Sequence, residues 1–188
     1  MDGDVLNRAI VFATKAHAGM VRKDGAPYIL HPLEDAVIVG TMTTDREVLA
    51  AAVLHDVLED TDSTQETLRR EFGDRVTDLV LAETEDKHVG MDKRDTWRMR
   101  KEDSLAVLKG ACREEKMLWL GDKLSNLRNL KRMIDTKGSA TFTQFNVVDP
   151  RAHKWYYGTV VEYVKELSDF AVYQEFASLY HTVFDRYE

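Results

Sequence analysis

Ionisable side chains close an otherwise apolar segment of this 188-residue chain. Val48-Leu49-Ala50-Ala51-Ala52-Val53-Leu54 runs directly into His55-Asp56-Val57-Leu58-Glu59-Asp60-Thr61. On a helix, His55 and Glu59 share one face, as do Asp56 and Asp60, because side chains one turn apart stack above one another. Two readings stand. One is a solvated helix end crowded with carboxylates. The other is a cation site: acidic groups at a helix C-terminus oppose the macrodipole and repel one another, and a nearby cation reverses that penalty.

An adjacent His-Asp pair cannot close a metal site alone, so partners must come from elsewhere. His31 stands between a Gly/Pro-containing loop and Pro32, a place where a histidine also serves as a cap or a buried polar group. Asp122 lies within Leu118-Trp119-Leu120-Gly121-Asp122-Lys123-Leu124-Ser125-Asn126-Leu127. An acid among apolar neighbours has to be exposed, paired or metal-bound. Asn126 shares its helix face. Two imidazoles and two carboxylates form a borderline-to-hard donor set, suited to Mn, Fe, Zn or Mg. Arg22-Lys23 are either idle surface cations or, beside a metal, a phosphate clamp with Arg as a fork and Lys as a point charge.

The elements that must position these groups read as helices nearly throughout. Val5, Leu6, Ala9, Ile10, Ala13 and Ala16 follow a helical period that stops at Gly19. Residues 20–31 read as a loop, and Pro32 opens a second helix to about Gly40. A third is expected from Asp45 to Glu59, its centre apolar enough to be buried on several sides. Ser63-Thr64-Gln65-Glu66 has the form of a capping box, opening a short helix that closes at Phe72-Gly73. Val76, Leu79, Val80 and Ala82 mark the next. After a loop at 86–92, helices are expected over 93–110 and 114–134, a long surface loop over 135–149, and helices over 150–168 and 170–186. With no repeat, low-complexity tract or linker, the organisation is a single all-α domain.

Composition narrows the class. Against 33 Asp+Glu there are 26 Lys+Arg, a net charge of −7 that argues against a nucleic-acid partner, which needs a broad basic surface. The lone Cys112 excludes an internal disulfide and a multi-cysteine metal site, and it reads as a small packing residue. No apolar run reaches the roughly 18 residues that a membrane span needs. The first residues lack the basic-then-apolar order of a secretion signal, so a cytoplasmic protein is expected. The basic stretch Lys93-Arg94-Asp95-Thr96-Trp97-Arg98-Met99-Arg100-Lys101 could attract an anionic substrate but reads first as a solvated helix face. Arg151-Ala152-His153-Lys154-Trp155-Tyr156-Tyr157, with the 135–149 loop, could close over a nucleotide, but its aromatic cluster reads first as helix packing.

Three ordered motifs now carry a resemblance: Arg22-Lys23-Asp24-Gly25-Ala26-Pro27-Tyr28-Ile29-Leu30-His31-Pro32, His55-Asp56-Val57-Leu58-Glu59-Asp60, and Gly121-Asp122-Lys123-Leu124-Ser125-Asn126. Together they resemble the hydrolase domain of the Rel/Spo alarmone enzymes, within the His-Asp (HD) phosphohydrolase superfamily, most clearly over residues 5–132. The resemblance implies an all-α, single-domain helical bundle of the HD-domain type over 1–188, with 135–188 as a C-terminal helical extension. It implies that His31, His55, Asp56 and Asp122 ligate Mn²⁺ or another divalent ion. Glu59 and Asp60 match the acidic pair that orders and activates the attacking water. Arg22 and Lys23 match the substrate's phosphate side, and Asn126 a nucleotide contact. The implied reaction is removal of the 3′-pyrophosphate of ppGpp or pppGpp, giving GDP or GTP, in the stringent response.

Two departures stand out. The synthetase and regulatory domains of the bifunctional enzymes have no counterpart before Glu188, which suggests a stand-alone small alarmone hydrolase. Gly121 replaces the alanine common before the metal aspartate, a change that loosens a helix by about 1 kcal/mol. The alternatives are an HD phosphohydrolase for another phosphorylated nucleotide, such as NADPH, and a catalytically silent nucleotide sensor. The oligomeric state is not legible.

Overall fold

The apolar run 48–54 becomes the helix around which the others pack. In the computed structural model, which describes residues 4–85, 92 and 94–187, α3 spans Arg46–Leu54. Asp45 caps it, its carboxylate accepting from the amides of Glu47 and Val48 at 2.9 and 3.4 Å. Val48 and every residue from Ala50 to Leu54 are fully buried, because α3 is enclosed by neighbours on all sides. The helix α1 (Val5–Ala16) presents Ala9 and Ala13 to it, small residues that allow close approach. Next come α2 (Leu30–Val39), α6 (Asp74–Glu83) and α8 (Arg113–Lys137), each packed on α3. An amphipathic stripe cannot account for such a helix, which is apolar around most of its circumference.

The expected continuous helix over 45–59 is broken at the chemistry-bearing residues. After α3 ends at Leu54, His55 and Asp56 form a turn before the short α4, Val57–Asp60. His55 Nδ1 lies 2.8 Å from the carbonyl of Ala52, the acceptor that the amide of Asp56 would use in a continuous helix. A side chain that competes for a helical carbonyl disfavours continuation.

Elsewhere boundaries shift for similar local reasons. Thr64, not Ser63, caps α5 (Gln65–Phe72), accepting from the amide of Thr67 at 3.2 Å. Ser63 is held in a turn by the hydroxyl of Thr61. Gly73, at φ +85°, reverses the chain between α5 and α6, a conformation that side chains with a Cβ rarely adopt. The loop expected at 86–92 falls mostly outside the described residues, as does Lys93. From Trp97 to Gly110 runs α7.

The expected loop over 135–149 is shorter and better packed than its Thr/Ser-rich composition suggests. Helix α8 continues to Lys137, and Gly138–Gln144 forms a 3-10 turn that buries Thr141 and Phe142. Phe142 anchors it against Phe145, His153 and Tyr187. Asp149 then caps α9 (Pro150–Tyr163), which ends before a second 3-10 turn, and α10 (Ala171–Phe184) packs back on α8 and α9. Among the described residues there is no strand beyond an isolated Val21–Pro27 bridge. The all-α expectation holds. Cys112 is exposed at the start of α8, not packed.

Candidate metal centre and its cavity

Two helices and one turn deliver a cluster of buried and half-buried donors. His31 comes from the first turn of α2, His55 and Asp56 from the break after α3, and Asp122 from the middle of α8. One donor atom each from His31, His55 and Asp122 lies within 4.8 Å of the others. Asp122 Oδ1 is 3.1 Å from His31 Nε2 and 3.8 Å from His55 Nε2. Asp56 Oδ2 is 3.1 Å from His55 Nε2 and 3.5 Å from His31 Nε2. The four residues therefore converge on one point.

The far side of each ring fixes which nitrogen faces that point. Ser125 donates its single hydroxyl proton to Glu34 Oε2 at 2.8 Å, so it accepts from His31 Nδ1, 2.9 Å away. Arg128 holds Glu34 in turn at 3.0 Å, and Glu175 grips Arg128 through both carboxylate oxygens. His55 Nδ1 faces the Ala52 carbonyl, so it too carries a proton. His55 Nε2 is buried beside the carboxylates of Asp56 and Asp122 and has no hydrogen-bond partner among the described residues. A bare imidazole lone pair beside carboxylates is the donor arrangement a divalent cation requires. The residues fit such an ion.

The electrostatics point the same way. Burial alone would lower the pKa of His55, but Asp56 and Asp35 outweigh it and lift it well above the usual range, so that without a cation a proton takes the place at Nε2 that the ion would fill. Burial pushes Asp122 up, yet Lys123, beside it, and the two imidazoles hold it well below the ordinary carboxylate value. Asp56 is likewise held down against burial by His55 and His31. The carboxylates attract positive charge to this point.

The cluster opens into a cavity of about 430 Å³. Asp56, Glu59, Glu83 and Glu85 contribute acidic groups to its lining; Arg22, Lys23, Lys101 and Lys123 contribute cations. Arg22 Nη2 donates to Asn126 Oδ1 at 2.8 Å, and Asn126 donates onward to Asp122. Lys23 Nζ sits 4.0 Å above the ring of Phe145. Burial lowers the pKa of Lys23, with Arg22 and Lys101 adding to the effect. Glu59 also lines the cavity and accepts from the amide of Glu85 at 2.7 Å. Asp60 stands apart from that lining. The hydroxyl of Tyr28 lies 2.7 Å from both Asp60 Oδ2 and Asp56 Oδ2, tying Asp60 to the cluster.

Two expectations are corrected here. The basic stretch before and into α7 is not uniformly solvated: Arg100 is buried and Lys101 reaches the cavity, both paired with Glu85. Tyr156 and Tyr157 pack as expected but also line the cavity, while Trp155 stacks under Arg98 outside it. Motif reading passed over Asp35, Glu83 and Trp119. Each has buried polar atoms without a hydrogen-bond partner among the described residues, and Glu83 and Trp119 line the cavity. Burial pushes Glu83 well above the usual carboxylate range. Burial lifts Asp35 to about 6, with His55 pulling in the opposite direction.

Residues 9–145 match the HD domain family. The chain belongs to the HD domain family. Among its relatives, a guanosine-3′,5′-bis(diphosphate) 3′-pyrophosphohydrolase of Aquifex aeolicus is 36% identical over 125 residues, 66% of this chain and 18% of the relative. A protein of the same name from Vibrio cholerae is 32% identical over 176 residues, 90% of this chain and 24% of the relative. This HD-domain chain thus spans about a fifth of the length of these relatives. A metazoan SpoT orthologue, described as hydrolysing ppGpp, superposes with a TM-score of 0.71 at 25% identity, covering 97% of this chain and 96% of that one. A Listeria monocytogenes structure gives 0.72 at 30% identity over 82% of this chain and 99% of that one. An HD domain implies a divalent metal, and His31, His55 and Asp122 provide a site for one. Among the described residues, no helix of this HD domain is long and apolar enough to cross a membrane.

Proposed function

We propose that this chain is a divalent-metal-dependent phosphohydrolase that removes the 3′-pyrophosphate of ppGpp or pppGpp, with Mn²⁺ as its ion. The observation that carries this reading is the meeting, in one cavity, of the His/Asp cluster with Arg22 and Lys23. An acidic pocket repels phosphate unless a cation offsets it, and this pocket provides for both. The names of the relatives and of the metazoan neighbour support the substrate class. The whole of 1–188 is read as one catalytic domain working on a nucleotide in the cytoplasm, without nucleic acid.

His31, His55, Asp56 and Asp122 would hold the ion. When bound, it supplies Lewis acidity that makes water a better nucleophile and offsets charge on the phosphoryl oxygens. The remaining work falls to the protein's side chains. Arg22, oriented by Asn126, and Lys23 face the phosphates, where fixed cations stabilise charge that grows in the transition state. Asn126 also offers its amide to the nucleotide. Glu59, pinned by the Glu85 amide, accepts the proton of the attacking water. As the new phosphorus–oxygen bond forms, the bond from phosphorus to the ribose 3′ oxygen breaks; that oxygen takes up a proton from solvent and Glu59 gives its own back to solvent, leaving pyrophosphate and GDP or GTP. General-base help of this kind contributes ~10²–10⁴-fold. Asp60, held on Tyr28, orients Asp56 and completes the acidic pair.

The test is incubation of the purified protein with ppGpp and Mn²⁺, followed by separation of the products. Wild type should release GDP and pyrophosphate, and His55→Ala and Asp56→Ala should not. Turnover no greater than that of these variants would sink the reading. Faster turnover of NADPH or another nucleotide in the same assay would reassign the substrate, and tight ppGpp binding without turnover would make the chain a sensor.

A further inference from the structure

Asp35 has no role in the reaction above, yet it is fully buried within the same group of helices. Its Oδ2 lies within ion-pair distance of His55 Nδ1, at 3.2 Å, and neither carboxylate oxygen has a hydrogen-bond partner among the described residues. A buried carboxylate left this poorly paired is unfavourable to a fold. Its neighbours are nevertheless shaped to admit it. A Cβ added to Gly121 on α8 would come 2.0 Å from Asp35 Oδ1 and 2.8 Å from Val39 Cγ2. The departure from alanine before Asp122 therefore has a steric reason: the carboxylate of Asp35 occupies the space that a methyl group would take.

We propose that Asp35 is a positioning residue for the metal centre: its charge behind the His55 ring favours the proton on Nδ1, which the Ala52 carbonyl accepts, presenting Nε2 as a lone pair to the cation, and Gly121 makes the room. The geometry is that of a carboxylate–histidine–metal relay, in which the outer acid fixes the tautomer and raises the basicity of the ligand. Asp35 suits this better than the carbonyl alone because it adds a full negative charge behind the ring. It also follows Glu34 directly on α2, and Glu34 serves His31 through Ser125. Consecutive acids of one helix thus hold the two histidines from behind. This inference rests on the metal-centre reading but not on the identity of the substrate.

The experiment is a calorimetric titration of the metal-free protein with Mn²⁺ alone, paired with thermal melts without metal. The proteins compared are wild type, Asp35→Asn, Gly121→Ala and the double variant Asp35→Val/Gly121→Ala. The proposal expects Asp35→Asn and the double variant to lose ~10–100-fold in Mn²⁺ affinity, while their metal-free melting temperatures stay level or rise. Gly121→Ala should lose both affinity and stability, and the double variant should restore stability alone. Nitrogen NMR of the imidazoles, read at alkaline pH where His55 is neutral, should place its proton on Nδ1 in wild type and show that preference weakened in Asp35→Asn. Mn²⁺ affinity within twofold of wild type in both Asp35 variants would overturn the proposal, as would loss of metal-free stability alone. If wild type itself binds no Mn²⁺, the metal-centre reading falls with it; failure to hydrolyse ppGpp leaves the titration, and the inference, intact.

Discussion

Ser125 donates to Glu34 Oε2 at 2.8 Å, and that single bond decides that Nδ1 of His31 carries the proton and leaves Nε2, the nitrogen facing the cluster, free of it. A serine hydroxyl has one proton; once Glu34 receives it, the oxygen can only accept from His31 Nδ1. Replacing Glu34 by Gln frees the hydroxyl to turn, and replacing Ser125 by Ala removes the relay. Each change should weaken Mn²⁺ binding by ~10–100-fold, the usual cost of losing an outer partner of a ligand histidine. Calorimetric titration of the two variants checks this, with Ser125→Ala expected to retain its fold because the serine is small.

Removal of the metal should be visible in stability as well as in turnover. A ligand bound only to the native state at a hundred times its Kd adds about 2.7 kcal/mol, which for a chain of this size corresponds to roughly 5–11 °C in Tm. Stripping the protein with a chelator should abolish hydrolysis and lower the melting temperature by about that amount. Adding back Mn²⁺ should restore both, whereas His55→Ala should show little response to the metal. Differential scanning calorimetry with and without the ion makes the comparison.

The cluster was legible where ionisable residues broke an apolar pattern. His55 and Asp56 end a run of buried residues, and Asp122 interrupts another, so their spacing alone raised the question of a cation. The break in the helix at His55 was hidden because it arises from a ring nitrogen meeting the Ala52 carbonyl, which periodicity cannot register. Asp35 lies outside the three motifs and carries no signal in the sequence; its complete burial and the approach of Gly121 show that it is enclosed. Arg100 and Lys101 resembled a solvated face because Glu85, which draws them inward, lies on a different segment. Phe142 was masked by its Thr- and Ser-rich surroundings. For Asp35, Arg100 and Lys101 the deciding partner is distant along the chain.

Asp45 links the cap of the central helix to an ion network and gives a pH prediction independent of the metal. Arg75 reaches Asp45, Glu47 and Glu114 at 2.6–3.2 Å, and the Arg75 guanidinium holds Asp45 below the usual carboxylate range against a modest effect of burial. A carboxyl whose native pKa is depressed stabilises the fold above its unfolded value, near 3.9, and loses that contribution as pH falls towards the native pKa. Asp45→Asn keeps a good helix cap but removes the charge. Because the network is exposed, the cost at pH 7 should be only about 0.2–1 kcal/mol. Denaturant melts of the pair should show this gap narrowing as pH falls from 5 towards 3; a gap independent of pH would mean that the charge contributes nothing.

Glu59 and Asp60 adjoin in sequence but diverge in space, and that divergence separates their roles. Glu59 lines the cavity and is pinned by the Glu85 amide, while Asp60 shares the Tyr28 hydroxyl with Asp56. If Glu59 takes the water proton, Glu59→Gln should lower kcat by ~10²–10⁴-fold with little change in Mn²⁺ affinity, since the amide removes the base and leaves the ligands in place. Asp60→Asn should act through Tyr28 and Asp56, weakening the metal first and lowering turnover only in proportion, so that higher Mn²⁺ recovers much of the rate. Steady-state kinetics at low and saturating Mn²⁺ read the difference directly. Recovery of Glu59→Gln by excess metal, or none for Asp60→Asn, would reverse the assignment.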